Sequence, residues 1–170
     1  MSTYNQLIHQ YRKLCKEKEL PPETVKAFLF ELCNDHHINL YTDIDKEMDE
    51  EVCKLFTEGM ERILKNEPMN YVLGYSYFYG YRFIVNDGVL IPRPETEELV
   101  GLILSKYDEY FKEKKIRLCD VGTGSGAIAI ALKKEENNLE VYASDISKEA
   151  LAVAEKNAEN NDCSIEFLQG

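Results

Sequence analysis

Between Ile116 and Leu168 strand-like and helix-like segments alternate: a strand over 116–121, a glycine turn over 122–126, a helix over 127–134, a strand over 139–144, a helix over 147–160 and a strand over 164–168. Strands separated by helices join through crossovers, so the pattern predicts a parallel α/β sheet with right-handed connections. The turn Asp120-Val121-Gly122-Thr123-Gly124-Ser125-Gly126 falls where a strand ends and a helix begins. It therefore aims backbone N–H groups and the positive helix end at the carboxyl edge of the sheet, where open α/β sheets bind ligands. Glycines let a ligand approach such a turn without a Cβ in the way. Asp145 closes the next strand, 23 residues after Gly122, at the place from which an acid accepts both hydroxyl protons of an adenosine ribose. Together these features point to a nucleoside cofactor; the blander alternative is a tight turn that merely needs glycine, with Asp145 capping the next helix. Gly122-x-Gly124-x-x-Ala127 also satisfies the dinucleotide fingerprint, so the turn by itself leaves the cofactor open. Three strands are fewer than such sheets usually hold, and the expected class is α/β with an incomplete sheet.

Upstream the period is helical. Tyr4, Leu7, Ile8, Tyr11, Leu14 and Cys15 mark one buried face; Val25, Phe28, Leu29, Leu32 and Cys33 mark a second, begun near Pro22 and ended near Asn34. Met48, Val52, Leu55, Phe56, Met60, Ile63 and Leu64 mark a third, longer helix stopped before Pro68. Three such helices make a small bundle without a catalytic constellation, suited to packing or recognition.

From Tyr71 to Pro94 the spacing changes to two, with Tyr75, Tyr77, Tyr79 and Tyr81 alternating before Phe83, Val85, the turn Asn86-Asp87-Gly88 and Val89-Leu90-Ile91. This predicts a hairpin whose aromatic face packs on a neighbour; the tyrosines as a stacking platform for bases fit poorly with an acidic chain lacking a basic flank. Thr96 is the expected N-cap of a helix with Leu99, Val100, Ile103 and Leu104 on one face. The boundaries expected are a helical domain over 1–72, a hairpin linker over 73–95 and an α/β domain over 96–170.

Twenty basic residues against thirty-one acidic ones give a net charge of -11, which argues against binding a nucleic-acid backbone. The acidic cluster Asp43, Asp45, Glu47, Asp49, Glu50 and Glu51 reads as a solvated helix start, with a basic protein partner as the alternative. Cys15, Cys33, Cys53, Cys119 and Cys163 are odd in number and spaced without a zinc pattern, and are expected as buried thiols. No metal site is expected, no apolar run approaches the length of a membrane helix, and the expected setting is soluble and cytoplasmic. His9, His36 and His37 lie far from the glycine turn and receive no chemistry.

The segment Val89-Leu90-Ile91-Pro92-Arg93-Pro94-Glu95-Thr96-Glu97-Glu98-Leu99-Val100, followed by Asp120-Val121-Gly122-Thr123-Gly124-Ser125-Gly126-Ala127-Ile128-Ala129, resembles the peptide chain release factor glutamine methyltransferases. Glu67-Pro68-Met69-Asn70-Tyr71-Val72-Leu73-Gly74 resembles the stretch by which that family joins its helical domain to the hairpin. The resemblance implies a Rossmann-like, seven-stranded methyltransferase sheet, with S-adenosylmethionine as methyl donor to the side-chain amide of the glutamine in the Gly-Gly-Gln loop of class I release factors. Residue by residue, it implies that Gly122, Thr123, Gly124, Ser125 and Gly126 line the methionine portion and ribose of the cofactor and that Asp145 binds the ribose hydroxyls. It further implies that Asp120 anchors the turn, and that Leu90, Ile91, Pro92, Arg93 and Pro94 border the acceptor pocket.

An amide nitrogen is a weak nucleophile whose lone pair is delocalised, so it must be oriented by acceptors for both of its protons. In the family an Asn-Pro-Pro-Tyr motif does this, and no such motif occurs in these 170 residues. The expectation is therefore an N-terminal portion of the enzyme, holding the recognition domain and half of the cofactor site, inactive alone, with no catalytic residue among its own. It would also carry an unpaired sheet edge at Ile116, Leu118 and Val121 open to self-association. The alternatives are another Asn-Pro-Pro-Tyr-type or dinucleotide-dependent enzyme, and a non-catalytic binding module.

Overall fold

The computed structural model describes residues 2–170. Its contacts divide the chain into two units, Met1–Leu73 and Gly74–Gly170, each with its own hydrophobic core.

The first unit is helical: α1 (Tyr4–Glu17), α2 (Glu23–Asp35), the single turn α3 (Leu40–Asp43), α4 (Glu50–Ile63) and the short α5 (Met69–Leu73). Thr3 and Gln6 close a capping box at α1, each side chain taking the other residue's backbone N–H, at 3.2 and 3.0 Å. Asp49 caps α4 by accepting from the amides of Glu51 and Val52, and Glu50 and Glu51 fill its first turn. These three members of the acidic cluster thus act as a helix start. The apolar stripes meet as the spacing predicts, with Tyr11 of α1 edge-on to Phe56 of α4 at 5.2 Å and Phe28 of α2 stacked on Phe56 at 6.0 Å. Gly59 is what lets α4 approach α2 so closely, because a Cβ there would overlap the ring of Phe28.

One boundary differs from the expected one. The segment from Tyr71 does not begin the hairpin: Tyr71–Leu73 belong to α5, whose first turn is closed by the Pro68 carbonyl accepting from the Tyr71 and Val72 amides. Pro68 has no N–H to lose at a helix start, so the residue that stops one helix opens the next.

In the second unit β1 (Tyr75–Phe78) and β2 (Tyr81–Ile84) pair antiparallel, Tyr75 opposite Ile84 and Phe78 opposite Tyr81. The hairpin turn is therefore Tyr79-Gly80 and not Asn86-Asp87-Gly88. Both loop residues have positive φ, 51° and 81°, the two-residue geometry whose twist matches the strands, and Gly80 makes the second of these positions easy. Asn86–Gly88 form a separate turn, and Val89–Ile91 follow it without forming a strand. The tyrosines supply only part of the packed face: Tyr79 and Tyr81 pack partly buried against the core. Phe78 and Phe83 enter the core, Tyr77 is 56% exposed, and buried Tyr75 lies under the Arg82 guanidinium at 3.6 Å.

A 3-10 turn at Pro94–Thr96 leads into α6 (Glu97–Tyr110). Thr96 stands at the N-cap position but has helical backbone angles and makes no side-chain capping bond, because the preceding 3-10 turn has already closed the entry. Val100 and Tyr107 are the buried residues of α6, while Leu99, placed on the core face in the sequence reading, is exposed.

Then come β3 (Ile116–Val121), α7 (Ala127–Glu135), β4 (Leu139–Asp145), α8 (Lys148–Asn160) and β5 (Glu166–Gln169), with a parallel sheet in the order β3-β4-β5. This is the α/β class expected. Ile116 and Leu118 of β3 pack partly against the core and Val121 is exposed. Of the five thiols Cys15 and Cys33 are buried, Cys53 and Cys163 partly so, and Cys119 is exposed on β3, which corrects the expectation of uniformly buried cysteines.

Candidate functional site

The glycine turn joins β3 to α7 at the carboxyl end of the sheet. Gly122 and Thr123 both donate their amides to the Ser144 carbonyl of β4, at 2.8 and 2.9 Å, so the turn is fastened to the neighbouring strand. Gly126 donates to the Thr123 carbonyl at 2.9 Å, and the Thr123 hydroxyl donates to Asp120 Oδ2 at 2.7 Å. Gly122, Gly124 and Gly126 all have positive φ, at 78°, 56° and 80°, a region that other residues enter at a cost. Space around them differs. A Cβ on Gly122 or Gly124 would meet nothing within 4 Å, whereas one on Gly126 would lie 3.1 Å from Ile130 and 3.2 Å from Ala154. The first two glycines border open space; the third lets α7 sit close to α8.

Asp145 ends β4 beside the turn. Its Oδ2 accepts from the Gly124 amide at 2.8 Å and its Oδ1 from the Ser147 amide at 3.0 Å. Ser147 itself caps α8 through its hydroxyl, which accepts from the Ala150 amide at 3.1 Å, so the α8 cap is not Asp145. A carboxylate offers about four lone-pair sites, and two amides leave the others for a ligand. Asp120 lies deeper. Burial raises its pKa, while the bonds from the Thr123 hydroxyl and the Ala129 amide pull it down and the nearby Asp145 charge adds to the rise. Asp120 therefore braces the turn from within, and Asp145 is the carboxylate at its rim.

Residues 6–74 match the family described as the PrmC N-terminal domain, and residues 101–170 match the methyltransferase small domain. Proteins named release factor glutamine methyltransferase are 42% identical over 142 residues in Bacillus cereus, covering 82% of this chain and 50% of the relative, and 46% identical over 132 residues in Bacillus subtilis, covering 77% and 46%. One from Flavobacterium psychrophilum is 34% identical over 168 residues, covering 96% of this chain and 57% of the relative. This chain belongs to the release factor glutamine methyltransferase family. It spans about half the length of the curated relatives it matches.

Within this family member, Asp120, Gly122–Gly126 and Asp145 are gathered at one edge by the bonds above. The stretch Leu90–Pro94 runs without regular structure until Pro94 opens the 3-10 turn, and Leu90 is 69% exposed. It follows the Asn86–Gly88 turn, where a Cβ on Gly88 would lie 3.7 Å from Glu149 in the first turn of α8. This places the start of the stretch beside the helix that follows Asp145. No bond joins Leu90–Pro94 to the glycine turn among those the described residues display.

The sequence reading missed Asn157. It lies on α8 with no exposed surface, its Oδ1 accepting from the Ile84 amide at 2.6 Å and its Nδ2 donating to the carbonyls of Ile84 and Ser125, both at 2.9 Å. The available signal was its position on the apolar stripe of Ala150, Leu151, Ala154 and Ala158, because a polar side chain on a buried stripe must find partners.

Proposed function

We propose that this chain forms the cofactor-binding part of an enzyme that methylates the glutamine side-chain amide in the Gly-Gly-Gln loop of class I release factors, using S-adenosylmethionine. The observation that carries the reading is the fastened glycine turn, open above Gly122 and Gly124, with the Asp145 carboxylate at its rim. The fit is good on this geometry: spare acceptor sites on Asp145 suit a ribose diol, and the absence of Cβ atoms at Gly122 and Gly124 leaves room for the methionine portion. Gly122 to Gly126 and Asp145 would hold the cofactor, which supplies an electrophilic sulfonium methyl when bound. Asp120 would keep the turn in shape through Thr123.

Leu90 to Pro94 would border the acceptor glutamine, residues 1–72 would recognise the release factor, and residues 73–95 would connect the two parts. The cytoplasm, where release factors act, is the proposed location; among the described residues no helix is long and apolar enough to cross a membrane. The acceptors that orient the amide are not among these 170 residues, so binding is what this chain tests. Calorimetric titration with S-adenosylhomocysteine should give saturable binding that Asp145→Ala weakens at least about tenfold, the loss expected when charge-assisted hydrogen bonds go. The reading fails if the folded chain binds no S-adenosylhomocysteine, if Asp145→Ala binds as well as the original, or if NAD binds in its place with the same dependence on Asp145.

A further inference from the structure

Asn157 stands apart from the other buried polar side chains because it joins three segments distant in sequence. Its amide group faces the end of β2 on one side and the glycine turn on the other. Both polar groups of Ile84 are taken up by it, and its Nδ2 also holds the Ser125 carbonyl. Ser125 is itself buried, at 3% exposure, and is followed by Gly126, whose backbone is pressed against Ala154 one helical turn before Asn157. Four residues on, at the C-cap of α8, Asn161 Nδ2 donates to the Arg82 carbonyl at 3.2 Å. Thus α8 meets the turn from below at Gly126 and Ser125, and grips β2 at Arg82 and Ile84.

An ordinary core position would take an apolar residue, as Ala150, Ala154 and Ala158 do on the same stripe. A buried amide is costly unless fully bonded, and here each bond goes to backbone that no other helix holds in the bonds described. A backbone carbonyl gripped from one side fixes the peptide plane that follows it. The Ser125 carbonyl belongs to the Ser125–Gly126 peptide, so the bond fixes that peptide plane and with it where Gly126 leaves the turn.

We infer that Asn157 is a positioning residue that sets the shape of the glycine turn and couples it to β2, the strand leading to the Leu90–Pro94 stretch. This deepens the methyltransferase reading and rests on it for the identity of the ligand. Asn157 has no exposed surface and acts through Ser125 and Ile84.

The test compares the chain with its Asn157→Ala, Asn157→Asp and Val141→Ala variants, the last removing buried side chain from β4 away from the turn. Residue-resolved amide exchange and S-adenosylhomocysteine titration are the readouts. In Asn157→Ala the Gly122, Gly124 and Gly126 amides should exchange about tenfold faster relative to the Ala143 amide, with affinity about tenfold weaker, while Val141→Ala keeps both ratios unchanged. Asn157→Asp keeps an acceptor for the Ile84 amide but loses the donor to both the Ser125 and the Ile84 carbonyls, so it should loosen the turn while leaving the Ile84 amide protected; it decides the matter if Asn157→Ala does not fold. Equal acceleration of turn and core amides in the Asn157 variants would make the residue a core stabiliser only and overturn the inference. So would a loosened turn that binds with unchanged affinity. Should the original chain bind no S-adenosylhomocysteine, the functional reading falls, and the exchange of the turn amides alone then decides the role of Asn157.

Discussion

Gly122 and Gly126 require glycine for different reasons, and alanine separates them. Both have positive φ, which costs a side chain about 1–2 kcal/mol. At Gly126 a Cβ would also crowd Ile130 and Ala154, and overpacking of this kind adds about 1–3 kcal/mol. Gly126→Ala should therefore destabilise the second unit more than Gly122→Ala in urea titrations, and equal losses would contradict the packing role of Gly126. The thiols differ just as clearly. Burial pushes the Cys33 thiol up to about 11 from 9.0, with the Asp43 charge adding to it. The protonated thiol is thus favoured in the fold, so this contribution is fully present below pH 9.0 and is lost as pH rises towards 11. The denaturation midpoint of the first unit should fall over that interval, and less steeply in Cys33→Ala. At pH 8 a thiol reagent should modify exposed Cys119 first and leave Cys15 and Cys33 untouched until the helices unfold; early labelling of Cys33 would refute the burial argument.

At the scale of elements, two helices each carry an interior glycine with opposite meanings. In α4, Gly59 sits where Phe28 of α2 leaves no room for a Cβ, and Gly59→Ala should cost about 1–3 kcal/mol through a forced shift of that ring. In α6, Gly101 has only the Tyr79 hydroxyl as near as 4.0 Å, and Gly101→Ala should stabilise by up to about 1 kcal/mol through helix propensity. Thermal unfolding of the two variants checks the contrast; loss of stability in both would mean that α6 packs more tightly than its neighbours indicate. Elements whose period is long and whose caps are local were legible in advance: α1, α2, α4, β3, α7, β4 and α8 lie close to where spacing put them. The short ones were not. The Tyr79-Gly80 turn competes with Asn86-Asp87-Gly88, which carries the stronger local turn signal, and pairing of Phe78 and Phe83 into the core decides between them.

For the whole molecule, the two units close separate cores, one around Phe28, Leu29, Val52 and Phe56 and the other around Phe78, Phe83, Ile130 and Val141. Truncating Leu29, which has no exposed surface, should cost the first unit about 2–5 kcal/mol. In Leu29→Ala amide exchange should quicken along Val52–Met60 and remain unchanged at Val141 and Ala143. Joint acceleration in both cores would show that the units unfold as one.

The alternation over 116–168, the glycine turn and Asp145 were all readable from the chain, because a βαβ turn at a helix start draws on backbone geometry that only certain residues allow. Family membership was readable too, on the Ile91-Pro92-Arg93-Pro94-Glu95-Thr96-Glu97 stretch together with that turn. What the tertiary structure alone decided is who holds the turn. That Gly124 donates to Asp145, that Gly126 abuts Ala154, and that Asn157 joins Ile84 to Ser125 are contacts between residues 21 to 73 positions apart. Local propensity carries no record of such partners; they are set by the packing of α8 under the sheet edge, where a buried amide has to satisfy every one of its hydrogen bonds.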